Sequence, residues 1–451
     1  LERFTQIDSN FIEITLYLQL EENIVAAIAI IGTGYVGLTT GACFAHLGHK
    51  VICADIDIQK IKRLQNGEIP IVENGLERIV DEGIRTGNLR FVVGAAEASK
   101  HSEFHYLCVP TPQSQDGSAD LTYLQKAAEE IRECIPENSV VVNKSTVPVG
   151  STKVVADVLK RPDVAVVSNP EFLREGSAVD DFLNPDRVVI GSDDEDASIR
   201  VATLYAKIPT PILLTNPLSA EMIKYASNAF LASKLSFINA ISNLCEAVGA
   251  DVNDVVRGMG SDTRIGLDFF SPGPGWGGSC FPKDTVALRK IAEKAGYQFK
   301  LLDEVLNINT DQFDRVSNKI IESLNGASNH VAVFGLTFKA GTDDLRDSPS
   351  IEVIRRLEAA GVSVKAYDPA ASKTQLQKMY PDLKVQVVSD PYTAAKDASV
   401  ISILTEWEEF AILDFDKLIE VMHGDTIIDT RGVVDPNLVK RRGFNYRGIA
   451  S

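Results

Sequence analysis

No two cysteines in this 451-residue chain are spaced as a CxxC pair; the six lie scattered at 43, 53, 108, 134, 245 and 280. That excludes a disulfide framework or a zinc site, and points to reduced thiols in a reducing, cytoplasmic compartment. Positive charge is in deficit: 45 Lys and Arg stand against 62 Asp and Glu, a formal net charge of −17. This excess of anions excludes general affinity for nucleic acid or an anionic membrane, so an anionic ligand needs its own local cluster of Lys and Arg. No apolar run approaches the roughly 20 residues of a membrane span. With 45% apolar and 24% charged residues, the composition is that of a soluble globular protein. Histidine is scarce as well: His46 and His49 flank a helix end, His101 and His105 precede a strand, and His330 and His423 stand far from the glycine-rich segments. Base chemistry therefore falls to Lys or a carboxylate.

A chain of this length exceeds one ordinary core, so two or three domains are expected. Residues 1–25, LERFTQIDSNFIEITLYLQLEENIV, have no initiator Met, basic n-region or small-residue cleavage site. They read as an N-terminal extension, non-native or disordered, and not as a secretory signal. From Ala26 the pattern runs AAIAII, GTGYVG, LTTGACFAHLGH, KVICAD, which is strand, glycine turn, helix, strand. FHYLCVP, SVVVNKST, VAVVSNP and RVVIGS follow as short apolar runs between helical patterns. Such alternation predicts a parallel sheet covered by helices.

Near Asn216 the rhythm changes to SAEMIKYASNAFLASKLSFINAISNLCEAVGA, about 32 residues with no strand signal. It predicts one long helix, buried on more than one face, that joins two domains and packs against a second subunit. Alternation resumes at HVAVFGLTFKAG, with VSVKAYDP, ASVISIL and DTIIDTR as further strands, and LEAAGVSVKAYDPA echoes AHLGHKVICADID. The expected architecture is α/β: two Rossmann-like doubly wound domains, 26–215 and 326–451, joined by a long central helix in an all-helical middle domain, 216–325.

Gly32-Thr33-Gly34-Tyr35-Val36-Gly37 is a GxGxxG directly after a predicted strand and opening a helix. Gly32 permits the tight turn, Gly34 lets a pyrophosphate approach the backbone, and Gly37 lets helix pack on strand. Asp55, 23 positions after Gly32 at the end of the next strand, would bond a ribose 2′-hydroxyl and repel a 2′-phosphate. Together they favour NAD over NADP, although Lys60, Lys62 and Arg63 nearby keep NADP open.

Cys280 stands apart from the cysteines in apolar runs, because GGSCFPKD sets it among glycines, Lys283 and Asp284. Flexible backbone there would admit a substrate, and a neighbouring cation can lower a thiol pKa. A dehydrogenase that only interconverts alcohol and ketone needs no thiolate; one that carries an alcohol through aldehyde to acid does. Lys224 and Asn228, four apart on the long helix, share one face. They read either as a snorkelling Lys with a polar neighbour or as an oxyanion or proton-relay pair. NPEFLREG follows the strand VAVVS, where open parallel sheets place ligands. Its Glu171 and Glu175 read equally as a solvated loop.

GTGYVGL, VPTP, KSTVPVG, NPEFLREGSA, EMIKYASNAF, FFSPGPGWGGSCFPKD, GLTFKAGTDDLRDSPS and DTR, in this order, closely resemble the nucleotide-sugar 6-dehydrogenases of the UDP-glucose/GDP-mannose dehydrogenase family. The resemblance runs from about Ala26 to the C-terminus. It implies that UDP-glucose, two NAD+ and water give UDP-glucuronate and two NADH, with Cys280 as the thiolate forming a thiohemiacetal and then a thioester. Lys224 would stabilise oxyanions or assist proton removal, with Asn228 beside it. Asp284 and Glu171 would orient and activate water, Glu171 being the base for thioester hydrolysis and Thr146 holding that water.

For NAD the resemblance adds Val36, Lys60, Thr111, Thr146, Glu175, Lys283 and Arg346 to Gly32, Gly34, Tyr35, Gly37 and Asp55. Lys283 then serves NAD more than it tunes the thiol. For the UDP-sugar it implies Phe172, Leu173, Arg174 and Glu175, together with Lys224 and Asn228. The backbone of Phe269, Phe270, Ser271, Pro272 and Gly273 would face the uracil, joined by Gly277, Lys339 and Arg431. Arg264 would reach across from the neighbouring subunit of a homodimer or higher homo-oligomer. Gly335-Leu336-Thr337-Phe338-Lys339 lacks GxGxxG, so the second doubly wound domain should bind UDP and no second dinucleotide. No metal is expected.

Rivals within the family use the same thiol chemistry on a UDP-N-acetylhexosamine or GDP-mannose. A rival of another class is a silent NAD-binding protein or redox sensor, which would need the thiol but not Lys224, Asn228, Asp284 and Glu171.

Overall fold

Fourteen β-strands in two separate sheets carry the architecture of the computed structural model, which describes residues 24–324 and 329–449. The N-terminal extension read over 1–25 lies outside the described residues except for its last two. The chain divides into two compact units, Leu1–Ala226 and Ser227–Ser451. Among the described residues no helix is long and apolar enough to cross a membrane.

In the first unit β1 (Ala27–Ile31), β2 (Lys50–Asp55), β3 (Leu89–Val93), β4 (Phe104–Leu107), β5 (Val140–Asn143), β6 (Ala165–Ser168), β7 (Val188–Gly191) and β8 (Ile212–Thr215) form one sheet. Its order is β3-β2-β1-β4-β5-β6-β7-β8. The central strands are apolar on both faces, as strands covered by helices on both sides must be: the successive residues Ile28 and Ala29, and Val140 and Val141, which point to opposite faces, are all fully buried. Phe44, on the helix Tyr35–His46, meets Tyr106, Phe182 and Tyr205 at ring separations of 5.2, 5.1 and 5.3 Å.

The structure departs from three of these expectations. The sheet is not wholly parallel, because β6 and β7 pair antiparallel through Ser168 and Gly191. The link between them carries only the six-residue helix Ala178–Leu183, and it brings β7 in against the direction of β6. Strands β3 and β8 are additional to those read from the sequence; LRFVV places an exposed Arg90 inside an apolar run, and ILLT leaves Leu213 exposed at the sheet edge. His105 lies within β4 and is buried.

The long helix is observed as Pro217–Val248, and the division between the units falls inside it. Four turns on, Phe230, Phe237 and Leu244 recur every seventh residue with side chains exposed. The second unit continues through the helices Val252–Gly260, Phe281–Lys294 and Lys300–Glu322. It ends in an all-parallel sheet of β9 (His330–Phe334), β10 (Ser363–Tyr367), β11 (Gln386–Val387), β12 (Val400–Ile403), β13 (Thr426–Asp429) and β14 (Asn445–Gly448), ordered β11-β10-β9-β12-β13-β14.

Each sheet reverses its strand order beside its first strand, between β1 and β4 and between β9 and β12. Ligands bind at such switch points, beyond the carboxyl ends of the strands. A glycine with φ near +100° leaves the first strand at both places: Gly32, where an added Cβ would lie 2.4 Å from the Cys108 carbonyl oxygen, and Gly335, where it would lie 2.4 Å from Thr405.

Candidate active site

In the first unit the glycine turn divides its labour by position. A Cβ on Gly37 would stand 1.9 Å from the Gly32 carbonyl oxygen, so that glycine lets the helix sit on β1, whereas Gly34 has nothing within 4 Å and leaves the helix N-terminus open. Asp55 closes β2 and accepts from the Thr33 hydroxyl at 2.6 Å, the Thr33 amide at 3.0 Å and Lys60 Nζ at 3.1 Å. Burial opposes its charge, but the Thr33 and Asp57 hydrogen bonds and the Lys60 ammonium outweigh burial and hold the carboxyl at about 2. An open helix N-terminus with a fixed carboxylate one strand away fits a dinucleotide's diphosphate and ribose. Thr111 and Thr146 are brought together, the Thr111 hydroxyl donating to the Thr146 carbonyl at 2.8 Å. Val36 packs on the core of this unit.

The NPEFLREG loop is not a solvated loop. Glu171 is buried; it pairs with Lys224 Nζ at 2.9 Å and accepts the Leu173 amide at 2.6 Å. Burial opposes ionisation there, and the Lys224 charge and hydrogen bond, the Leu173 amide and the Lys144 charge overcome it, so Glu171 titrates below the ordinary carboxylate range. Phe172 lies between cations, with Arg187 stacked 3.7 Å from its ring centroid and Lys224 at 5.3 Å. Arg174 is exposed and paired with Asp181. The Tyr35 hydroxyl bonds Glu73 and receives the Gly176 amide at 2.9 Å, while Glu73 also accepts from the Gly176 and Ala178 amides at 2.7 and 2.9 Å. Burial and the neighbouring Glu73 push the Tyr35 phenol far up, with the Glu175 charge adding to the effect. The glycine turn and the NPEFLREG loop are thereby tied through Glu73.

In the second unit Cys280 caps the helix Phe281–Lys294, with Ser279 Oγ 3.5 Å from its sulfur and Pro282 in the first turn. A helix N-terminus favours a thiolate. Cys43, Cys53 and Cys108 lie in the core of the first unit, where burial pushes all three thiols up, Cys108 to about 12. Asp284, one turn along and buried, accepts from Asn228 Nδ2 at 2.6 Å and from Lys283 Nζ at 2.6 Å.

The glycines around Cys280 are not there for flexibility. An added Cβ would lie 1.8 Å from the Asp347 carbonyl oxygen at Gly277, 2.7 Å from Phe338 at Gly278 and 2.3 Å from Phe313 at Gly275. Side-chain amides clamp the same loop: Asn239 accepts the Gly273 amide, Gln312 donates to the Gly273 carbonyl, and Asn309 bonds both the amide and the carbonyl of Trp276, all at 2.8–2.9 Å. Close self-contact holds the thiol in place.

Of the residues expected at the uracil, Phe269 has φ +60°, Phe270 is buried beneath Lys234 at 4.2 Å, Ser271 is exposed and Pro272 half-buried. Gly273 lies against Arg431, whose Nη1 would be 2.9 Å from an added Cβ; Arg431 donates to the Leu404 carbonyl and pairs with Glu406. Lys339 Nζ lies 5.7 Å from the Phe338 ring centroid. Arg346 forks onto Asp344 at 2.8 and 2.7 Å. Arg264 is exposed and forks onto Asp262 at 3.0 and 2.6 Å. Asp368, the echo of Asp55, differs in its surroundings: it accepts the Leu336 and Thr337 amides at 2.7 and 3.0 Å and Trp407 Nε1 at 3.2 Å. Trp407 thus stands on the carboxylate that a dinucleotide ribose would need.

Reading the sequence missed Glu73, Lys144, Arg187 and Trp407. Lys144 lies inside the KSTVPVG motif and carried that much signal; the other three stand in stretches with no motif.

Three family models cover most of the chain: the UDP-glucose/GDP-mannose dehydrogenase family NAD binding domain over residues 26–209, its central domain over 218–311 and its UDP binding domain over 332–436. The chain is 44% identical to the UDP-glucose 6-dehydrogenase TuaD of Bacillus subtilis, over 94% of this chain and 92% of that one. It is also 44% identical to the UDP-glucose 6-dehydrogenase of Rhizobium meliloti, over 94% and 99%. Among solved structures it is similar to a UDP-glucose dehydrogenase from Pyrobaculum islandicum, with a TM-score of 0.85 and 36% identity over 95% of this chain and 98% of that one. A UDP-D-ManNAc dehydrogenase from Pyrococcus horikoshii gives a TM-score of 0.83 at 28% identity, over 94% and 99%.

Proposed function

The chain belongs to the UDP-glucose/GDP-mannose dehydrogenase family, and on that premise we propose that it oxidises the C6 hydroxyl of UDP-glucose to a carboxylate in an NAD-dependent four-electron reaction. The observation that carries this reading is a half-buried thiol at a helix N-terminus, Cys280, with the buried carboxylate of Asp284 one turn along. Each of the two NAD+ molecules used per sugar would, when bound, accept one hydride. The Gly32–Gly37 turn would hold its diphosphate and Asp55 its ribose, with Tyr35, Val36, Lys60, Thr111, Thr146, Glu175, Lys283 and Arg346 completing the site. UDP would take the second sheet's switch point with Lys339 and Arg431, the uracil lying along Phe269 to Gly273, and the sugar would meet Phe172 to Glu175 and Gly277.

In this reading a water oriented by Asp284 and Asn228 takes the C6 hydroxyl proton and passes one to the Asp284 carboxylate as the alcohol becomes an aldehyde, with the Lys224 ammonium assisting by stabilising the developing oxyanion. The Cys280 thiolate then adds to the aldehyde carbon, forming a C–S bond and an oxyanion that Lys224 and Asn228 stabilise. That tetrahedral carbon can lose a second hydride and so become a thioester. Glu171 takes a proton from a water held by Thr146; the water attacks, the C–S bond breaks, and the thiolate returns as the carboxylate leaves.

The exposed stripe of Phe230, Phe237 and Leu244 supports a homodimer packed through the long helix, with Arg264 reaching the partner's sugar site. Cysteines that form no disulfide among the described residues fit a reducing cytoplasm.

The test is NADH yield per sugar, with mass spectrometry of the Cys280→Ser variant. Two NADH per UDP-glucose in the wild type, and lost turnover with an adduct on residue 280 in the variant, are expected. Full activity of C280S would overturn the mechanism, and a higher kcat/KM on UDP-N-acetylglucosamine or GDP-mannose would replace the substrate.

A further inference from the structure

Lys144 leaves the carboxyl end of β5 and points into the first unit, where it is 5% exposed. Its ammonium donates to Asn169 Oδ1 at 3.2 Å and to the Tyr205 hydroxyl at 3.4 Å, and lies 5.8 Å from the centre of the Tyr205 ring. Both acceptors are themselves hydrogen-bonded. The Tyr205 hydroxyl donates to Asn169 Oδ1 at 2.7 Å, and Asn169 Nδ2 donates to the Val189 carbonyl at 2.8 Å. Both hydrogen-bond acceptors of this buried cation are therefore neutral. A charge so placed is costly unless an anion lies close by.

That anion is Glu171, two residues beyond Asn169. The charged and titratable groups that face Lys144 are Glu171, the Cys108 thiol, Lys224 and the Tyr205 phenol. Lys224 touches the Glu171 carboxylate directly at 2.9 Å, while Lys144, bonded to the Asn169 side chain two residues before Glu171, acts on it through space. Two cations thus act on one buried carboxylate, one in direct contact and one through space.

Resting on the reading of Glu171 as the base of thioester hydrolysis, we infer that Lys144 is a positioning residue: a fixed second cation that keeps Glu171 ionised and holds the Asn169-Pro170-Glu171 turn in register. Burial lowers the Lys144 ammonium to about 8, with the Glu171 charge supporting its protonated form. Lys144 makes its hydrogen bonds to Asn169 and Tyr205 and not to the carboxylate; its charge adds to that of Lys224 in setting the pH range over which Glu171 can accept a proton.

The experiment compares kcat and KM against pH for the wild type, Lys144→Gln, Lys144→Met and Lys144→Arg, with NADH yield per UDP-glucose as the control. Removing the charge in K144Q and K144M should move the acid limb of kcat upward by about one pH unit. KM for UDP-glucose should stay unchanged, and the thioester should accumulate on the enzyme below pH 6. K144R keeps the charge and should keep the wild-type limb. K144Q retains a donor towards Asn169, so an unmoved limb in K144Q would overturn the inference and leave Lys144 a structural residue. Failure of both neutral variants to fold beside a well-folded K144R would overturn it equally, by making the cation a requirement of the fold. A wild type yielding other than two NADH per sugar would instead defeat the parent reading.

Discussion

Asn228 Nδ2 donates to Asp284 Oδ2 at 2.6 Å, a side-chain bond that links the long helix to the first turn of the helix capped by Cys280. Fifty-six residues separate the two in the chain. The bond fixes which oxygen of a buried carboxylate faces the helix, while Lys283 holds the other oxygen.

Asn228→Ala removes that donor and leaves the Asp284 carboxylate with Lys283 alone. A fall in kcat of about 10²-fold or more is expected, with a smaller change in KM and a lowered melting temperature. Asp284→Asn keeps the shape and removes the charge, so it should lose a similar factor in kcat at nearly wild-type stability. Steady-state kinetics beside thermal unfolding separates the two; equal loss of stability in both variants would contradict a catalytic use of the carboxylate.

The glycines make opposite predictions from one type of substitution. Gly277→Ala forces a Cβ to 1.8 Å from the Asp347 carbonyl oxygen, a backbone atom that cannot swing aside, and should cost at least about 2 kcal/mol or prevent folding. Gly34→Ala meets nothing within 4 Å, so the fold should be unharmed while NAD affinity drops at least about tenfold. Thermal unfolding and calorimetric titration of NAD check both, and a G34A variant that binds NAD as the wild type does would place the diphosphate elsewhere.

Acid stability should depend on His105. Burial in β4 holds this imidazole neutral, its pKa pushed down to about 3 and only partly restored by the Ser102 backbone. The unfolded chain takes up a proton near the ordinary value of 6.5, so the native state loses stability as pH falls from about 6.5 towards 3, at roughly 1.4 kcal/mol per pH unit. His105→Val removes the titration and suits a strand. Melting temperatures between pH 7 and pH 4.5 should fall less steeply in H105V, and an unchanged slope would show that other groups govern acid unfolding.

What could be read from the residues in order was whatever short-range spacing dictates. The GxGxxG turn, Asp55 at the end of the next strand, the long helix and the ten strands with strong apolar runs all follow from contacts made within a few tens of residues. The family resemblance rests on motifs of the same length. Strands β3, β8, β11 and β14 escaped because their runs are short, interrupted or at an edge, where burial no longer imposes a pattern. Tertiary structure alone decided the rest. Glu171 is a buried, ion-paired carboxylate only because Lys224, 53 positions away, and Lys144 converge on it. Glu73 meets Tyr35 across 38 positions, and Asp347 defines the space for Gly277 across 70. Such contacts depend on where strands and helices come to lie, and no periodicity in the chain encodes that. The elements of this protein are local properties of its sequence, whereas the charge states within its candidate site arise from burial and long-range proximity that only the folded chain creates.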